Sequence, residues 1–320
     1  MSYIKNRARE VNLCKVHPIG AITEGQEGKN LAAIGAMKKA GIVAVSEDGK
    51  SVLSTKLMAN AMQYAADFGL KCLCHCEDSS LVDGGVVNEG YNSTLTGLKG
   101  SLRAAEDIVV AREILLAESL DLPVHICHVS TYSAVQLIRE AKARGVKVTA
   151  ETCPHYFTLT DDAILSYDTN TKVNPPLREE RDRLAIVAGL KDGTLDCIVT
   201  DHAPHHEDDK RVEYDLAAFG ISGLETSFAL SYTALVKSGE MSLAELVDKM
   251  SGNPARTLGL EGGRLKVGAP ADFIAVDPDE EWTVDPGKFV SKGKNTPFAG
   301  RKVFGKVKYT VVDGEVKYKE

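Results

Sequence analysis

The chain has 320 residues, of which 43% are hydrophobic and 26% charged, with a formal net charge of −7. This is ordinary globular composition, long enough for one large domain and a small appendage, and the negative balance argues against a general nucleic-acid binder. A small anionic substrate stays open, because one arginine or a helix N-terminus suffices to bind it. No apolar run approaches the roughly 20 residues of a membrane span, and the opening Met-Ser-Tyr-Ile-Lys-Asn-Arg has no secretory apolar core. The seven cysteines (14, 72, 74, 76, 127, 153 and 197) are odd in number and never spaced Cys-x-x-Cys. They read as reduced core thiols of a cytoplasmic protein.

One pattern repeats along the chain: a short apolar run, a polar turn, a longer amphipathic stretch. A strand over Val11–Ile19 is expected, then a helix over Lys29–Lys39. Strand Ile42–Val45 precedes helix Thr55–Asp67, and strand Leu70–His75 precedes helix Leu102–Glu118 after a long loop. Strand Pro123–His128 leads to helix Ser133–Arg144. Strand Val146–Ala150 leads, through another loop, to helix Arg181–Leu190, and strand Leu195–Thr200 to helix Leu224–Lys237.

Alternation of this kind implies a parallel sheet with helices outside. The long polar insertions, residues 77–100, 151–178 and 201–223, all follow strands, where a (β/α)8 barrel builds its chemistry. Six units are counted where eight close a ring. No Gly-x-Gly-x-x-Gly follows the first strand, so an incomplete barrel is preferred to a doubly wound open sheet. The expected division is a barrel over 1–258 (equivalent to strands 3–8) and a small β-rich element over 259–320. Its runs Asp272–Val276, Val303–Val312 and Glu315–Tyr318 call for partner strands, expected from a segment N-terminal to this chain.

Strand ends carry metal-binding side chains. Val45-Ser46-Glu47-Asp48 ends in acids, Leu73-Cys74-His75-Cys76-Glu77-Asp78 in a histidine and acids, His125-Ile126-Cys127-His128 in a histidine, and Thr200-Asp201-His202-Ala203-Pro204-His205 in an aspartate and histidines. One histidine on a strand is commonly a packed core residue; four such endings at the same end of parallel strands point to a shared site. Imidazole with carboxylate suits Zn2+, which activates water and polarises a carbonyl, while a carboxylate moves the proton. Hydrolysis of an amide or imide, or its reversal, is the natural reaction. The trio Cys72, Cys74 and Cys76 falls on one strand face and reads as small buried hydrophobes.

In order and spacing these strings resemble the amidohydrolase superfamily, and within it class I bacterial dihydroorotase. The resemblance runs over nearly the whole chain: His17-Pro18-Ile19-Gly20, Ser46-Glu47-Asp48-Gly49, His75-Cys76-Glu77-Asp78, His128-Val129-Ser130-Thr131, Lys172-Val173-Asn174-Pro175-Pro176-Leu177-Arg178, Asp201-His202-Ala203-Pro204-His205, Gly223-Leu224-Glu225-Thr226, Pro270-Ala271-Asp272 and Asn295-Thr296-Pro297-Phe298.

The resemblance implies a (β/α)8 barrel and zinc-dependent interconversion of N-carbamoyl-L-aspartate and L-dihydroorotate in pyrimidine synthesis. It implies Asp48 as the carboxylate bridging two metals, His75 and His128 as ligands of the second, and Asp201 as ligand of the first and general acid/base. Asn174 and His205 become substrate contacts, with backbone at Phe219 and Gly220 facing the ring and residues 201–220 covering it. His17, His125, His155, His202 and His206 are read as core or loop residues, with His125 pointing to the opposite side of its strand from His128. Aspartate at position 48, where hydantoinases, dihydropyrimidinases and allantoinases have a carboxylated lysine, favours dihydroorotase.

The family's Asp-x-His-x-His-x-Arg string is not in this sequence. By comparison with complete members, roughly a hundred residues, two strand-helix units, would precede Ser2. The expectation is therefore two zinc ions in the complete site and one, or weak binding, here, with the chain's own activity in question. A homodimer is expected, with aspartate transcarbamoylase as a further partner. Two alternatives stay open: a non-catalytic dihydroorotase-like subunit, and another cyclic-amide hydrolase such as allantoinase.

Overall fold

The computed structural model describes residues 1–320. Its centre is a six-stranded parallel sheet, in the order β1 (Ile19–Ala21), β2 (Ala44–Glu47), β3 (Cys72–Cys74), β4 (Val124–Ile126), β5 (Val148–Thr152), β6 (Cys197–Ile198). Sequential neighbours joined by helical crossovers are what a barrel wall requires. The strands are short because the apolar runs are short, and each strand end opens directly into a loop.

The register explains how the wall is built. Cys72 pairs with Val124, which pairs with Val148, and Cys74 pairs with Ile126, which pairs with Ala150. Those side chains share one core with Met58 and Ala61 of helix α1 (Thr55–Ala66), Val110 and Ile114 of α2 (Ala104–Leu120), and Ile138 of α3 (Tyr132–Ala143). Cys72, Cys74 and Cys76 are all buried and free. On the other face Ser46, Leu73, His125 and Thr149 align across four strands. Helix starts follow local chemistry: Ser54 accepts from the Leu57 amide, and Thr131 from the Ala134 amide. A further helix, α4 (Glu180–Asp192), packs beside α3. No helix is long and apolar enough to cross a membrane.

Two expectations are corrected. Residues Ser2–Val11 form a helix with no buried residue, and the first strand is only Ile19–Ala21 rather than Val11–Ile19. Leu13 and Val16, apolar in sequence, are exposed and pair with nothing. The helix expected over Leu224–Lys237 begins at Ser227 and loosens into a π-helical turn at Tyr232–Val236. The C-terminal runs pair with one another. Phe273–Thr283, Lys302–Val312 and Glu315–Lys319 form their own three-stranded antiparallel sheet. The first two are 11 residues each, long enough to pair with one another across bulges. Lys15 fastens the N-terminal segment to this sheet through Asp272 (2.6 Å) and Asp313 (2.7 Å).

Candidate active site

Asp48, His75 and His128 follow β2, β3 and β4 by one or two residues, so adjacent parallel strands deliver them to one end of the sheet. His75 Nδ1 lies 2.9 Å from His128 Nε2 and 3.6 Å from Asp48 Oδ1, and His128 Nε2 lies 3.3 Å from the same oxygen. Both imidazoles are buried, whereas the Asp48 side chain is 62% exposed. His128 stands past its strand end at φ 35°, so strand alternation does not set where its ring points.

Two ring nitrogens and a carboxylate oxygen aimed at one another need a proton or a cation between them. A tetrahedral ion with bonds of about 2.0–2.2 Å places its donors roughly 3.4 Å apart, and the three observed separations, 2.9, 3.3 and 3.6 Å, bracket that value. The donor set and its spacing fit zinc.

Electrostatics reinforce the cluster. Hydrogen bonds from His128 and His75 hold the Asp48 carboxyl far below the usual carboxylate range. Burial opposes charge on His75, but Asp48 and Glu77 outweigh it and raise the ring to about 9; His128 is raised against burial by Asp48. Asp201, on the loop after β6, is raised by burial and feels the charges of His128, Asp48 and His75. Asp201 stands at a positive φ of 46°, and its carboxylate is not among the donor atoms of the Asp48, His75 and His128 group, which lie within 4.8 Å of one another.

Glu77 belongs to the site, although the sequence marked it only as one of the acids that follow His75. Its Oε2 lies 3.4 Å from His75 Nε2, within ion-pair range but off the line of a hydrogen bond, so that buried nitrogen has no hydrogen-bond partner. Burial works against the Glu77 charge, and His75 and Asn174 prevail, drawing its carboxyl down. Asn174 is thus near Glu77. Ser51 links two of the loops, donating to His75 O (2.6 Å) and accepting from Glu77 N (2.8 Å). The signal available in the sequence was the histidine and glutamate two residues apart.

The remaining predicted residues lie on the loop after β6. His205 Nε2 pairs with Phe219 O at 2.7 Å, and Gly220 N donates to Lys172 O at 2.9 Å. Gly220 has φ +132°, and a Cβ there would sit 2.4 Å from Ala203 Cβ, so only glycine fits. Asn295 closes this loop: Oδ1 accepts from His205 N (3.0 Å) and Ser222 Oγ (2.8 Å), and Nδ2 donates to Ala203 O (3.0 Å) and Gly220 O (2.9 Å).

The other histidines take different parts. His202 Nδ1 accepts from the Gly223 amide at 3.1 Å, His206 is exposed, and His155 is buried with its pKa pushed down to about 3 by burial and the nearby His128. His125 shares a second donor group with Cys127 and Glu151. Both its ring nitrogens are already bonded, to Thr149 Oγ1 (2.8 Å) and Glu151 Oε2 (2.9 Å), which leaves no lone pair for an ion.

A parallel barrel wall with an imidazole–carboxylate donor set at its loop end defines a hydrolase of the amidohydrolase type. The model of the amidohydrolase family matches residues 12–317. The dihydroorotase of Acetivibrio thermocellus is 53% identical over 320 residues, 100% of this chain and 75% of that protein. That of Geotalea daltonii is 53% identical over 318 residues, 99% of this chain and 75% of that protein. The L-hydantoinase of Arthrobacter aurescens superposes with a TM-score of 0.87 at 26% identity, over 98% of this chain and 72% of that one. The chain belongs to the amidohydrolase family and, within it, to the dihydroorotases.

Proposed function

We propose that this chain carries the site of a zinc-dependent dihydroorotase, which opens the ring amide of L-dihydroorotate to N-carbamoyl-L-aspartate and closes it again. The observation that carries this reading is the convergence of Asp48, His75 and His128 within 3.6 Å of one another, in a chain 53% identical to dihydroorotases.

Asp48, His75 and His128 would hold the ion, with Asp201 beside them. When bound, zinc supplies Lewis acidity and a water activated near neutral pH. Asp201 takes the proton from the attacking water and returns it to the departing ring nitrogen as the C–N bond breaks. Its raised pKa suits both halves of that transfer. Asn174, near Glu77, and His205, held by Phe219 O, orient the substrate, and the backbone at Phe219 and Gly220 closes over it. The same reading places the protein in the cytoplasm as a self-associating subunit, with aspartate transcarbamoylase as a candidate partner. The exposed Leu13, Val16 and Ile19 beside the edge strand support association.

In the full-length protein, Asp201→Asn is expected to lower dihydroorotate turnover at least a thousandfold. Unchanged turnover, or faster hydrolysis of hydantoin or allantoin than of dihydroorotate by the unsubstituted chain, would refute the assignment.

A further inference from the structure

The loops around the site share one buried ion pair. Glu106, on α2, accepts the backbone amides of Ser130 (2.8 Å) and Thr131 (3.3 Å), and it also bonds the Ser130 hydroxyl. Ser130 stands two residues past His128. Arg178, four residues past Asn174, donates to Ser130 Oγ (3.0 Å), to Asn88 Oδ1 (3.1 Å) and to Glu106 Oε2 (3.4 Å). Arg178 is 4% exposed and Glu106 3%, so neither charge is answered by water.

The surroundings extend the tie. Asn88, from the insertion after β3, also donates to Asp161 Oδ2 (3.3 Å), and Asp161 N donates back to Arg178 O (2.8 Å). Asp161 lies in the insertion after β5. One guanidinium thus joins the loops that follow β3, β4 and β5, the loops that carry Glu77, His128 and Asn174. On its far side the His128 segment is tied to β5: Val129 N donates to Glu151 O (2.8 Å), and Val129 O accepts from Thr152 Oγ1 (2.9 Å). On the side toward α2 the supports are side chains: Glu106 and Arg178, with Asp107 accepting from Thr131 Oγ1.

Two charges withdrawn from water are poor stabilisers compared with apolar packing of the same volume. A planar fork with several fixed partners does give register, because its hydrogen bonds are directional. His128 needs register, since its ring is aimed from a backbone at φ 35° that its own strand does not dictate.

We propose that Glu106 and Arg178 are positioning residues that fix the ring of His128 for metal binding. The inference rests on reading His128 as a metal ligand. Outer groups that orient a metal-binding histidine typically govern affinity by about 10–100-fold.

The test is Co(II) titration of the purified full chain, followed by its visible absorption band, for the unsubstituted chain, Glu106→Gln, and the double variant Glu106→Gln/Arg178→Met. The single variant leaves the Arg178 charge buried and unpaired, whereas the double variant leaves no buried charge without a partner and keeps the test open if the single one does not fold. Asp182→Asn serves as the control. Asp182 supports the same helix start through the Tyr132 amide (2.8 Å), without touching residues 128–131. Both test variants are expected to weaken Co(II) binding at least tenfold and to alter the band, while Asp182→Asn lowers the melting temperature and leaves both unchanged. Wild-type affinity and band in the double variant, with only the melting temperature lowered, overturn the inference. Failure of the ligand reading shows differently: His128→Ala then binds Co(II) as tightly as the unsubstituted chain, and the inference falls with it.

Discussion

Asn295→Asp changes one atom and reverses half of a buried clamp. The asparagine makes four hydrogen bonds, two as acceptor and two as donor, which is its full capacity across 201–222. Aspartate keeps the bonds from His205 N and Ser222 Oγ. It turns the contacts to Ala203 O and Gly220 O into oxygen against oxygen. Two lost bonds at about 1 kcal/mol each, plus the cost of a buried carboxylate facing two carbonyls, give about 3 kcal/mol at neutral pH. The carbonyls raise the folded pKa of the new carboxyl above its unfolded value, so the penalty grows as pH rises through the unfolded value near ~4 and is relieved below it. The protected amides are Ala203, which donates to Ile221 O, Gly220, which donates to Lys172 O, and Ser222, which donates to Asn295 O. Their hydrogen exchange, read by mass spectrometry at pH 7, should accelerate by about a hundredfold, since 1.4 kcal/mol is tenfold. Exchange within threefold of the unsubstituted chain would refute this account of the loop.

Lys210 offers a pH test of the same loop. Its ammonium donates to Thr169 O (3.1 Å) and Ala218 O (2.6 Å), and burial pushes its pKa from 10.5 down to about 8. With the folded value below the unfolded one, the buried charge costs stability below pH 8, and that cost disappears as pH rises from 8 toward 10.5. The difference in urea midpoint between the unsubstituted chain and Lys210→Met should therefore move in favour of lysine over that window; a difference independent of pH would contradict it. The sheet ends at β1 and β6, with Leu13, Val16 and Ile19 exposed beside the first edge. Unpaired edges and apolar surface promote association, so sedimentation of the purified chain should show oligomers, and a monodisperse, heat-resistant monomer would count against this.

Much of the site was legible because its residues stand directly after apolar runs. Asp48, His75 and His128 each come just after a short apolar run such as Val43-Ala44-Val45, and adjacent parallel strands turn that sequence position into spatial proximity. Residues that work through distant hydrogen bonds left no local mark. Asn295 reaches partners 73 to 92 residues away, and Arg178 meets Asn88 across 90. Glu77 was visible as an acid two places after a histidine, but only the folded loops show it between His75 and Asn174. The first strand was overread because Val11, Leu13 and Val16 alternate imperfectly with polar residues. Pro18 has no N–H to give a strand ladder; its carbonyl still accepts from Val43 N, and β1 starts at Ile19. The C-terminal runs were legible as β structure, while their pairing with one another was not, since periodicity reports which residues are extended and not what they pair with.

The proposed chemistry depends on Asp48, His75 and His128 together holding a metal ion. Anomalous diffraction at the zinc absorption edge, from crystals of the chain grown with zinc, tests this most directly. The account predicts a peak within about 2.0–2.2 Å of Asp48 Oδ1, His75 Nδ1 and His128 Nε2. Absence of a peak there, with the two rings still facing one another, would contradict it.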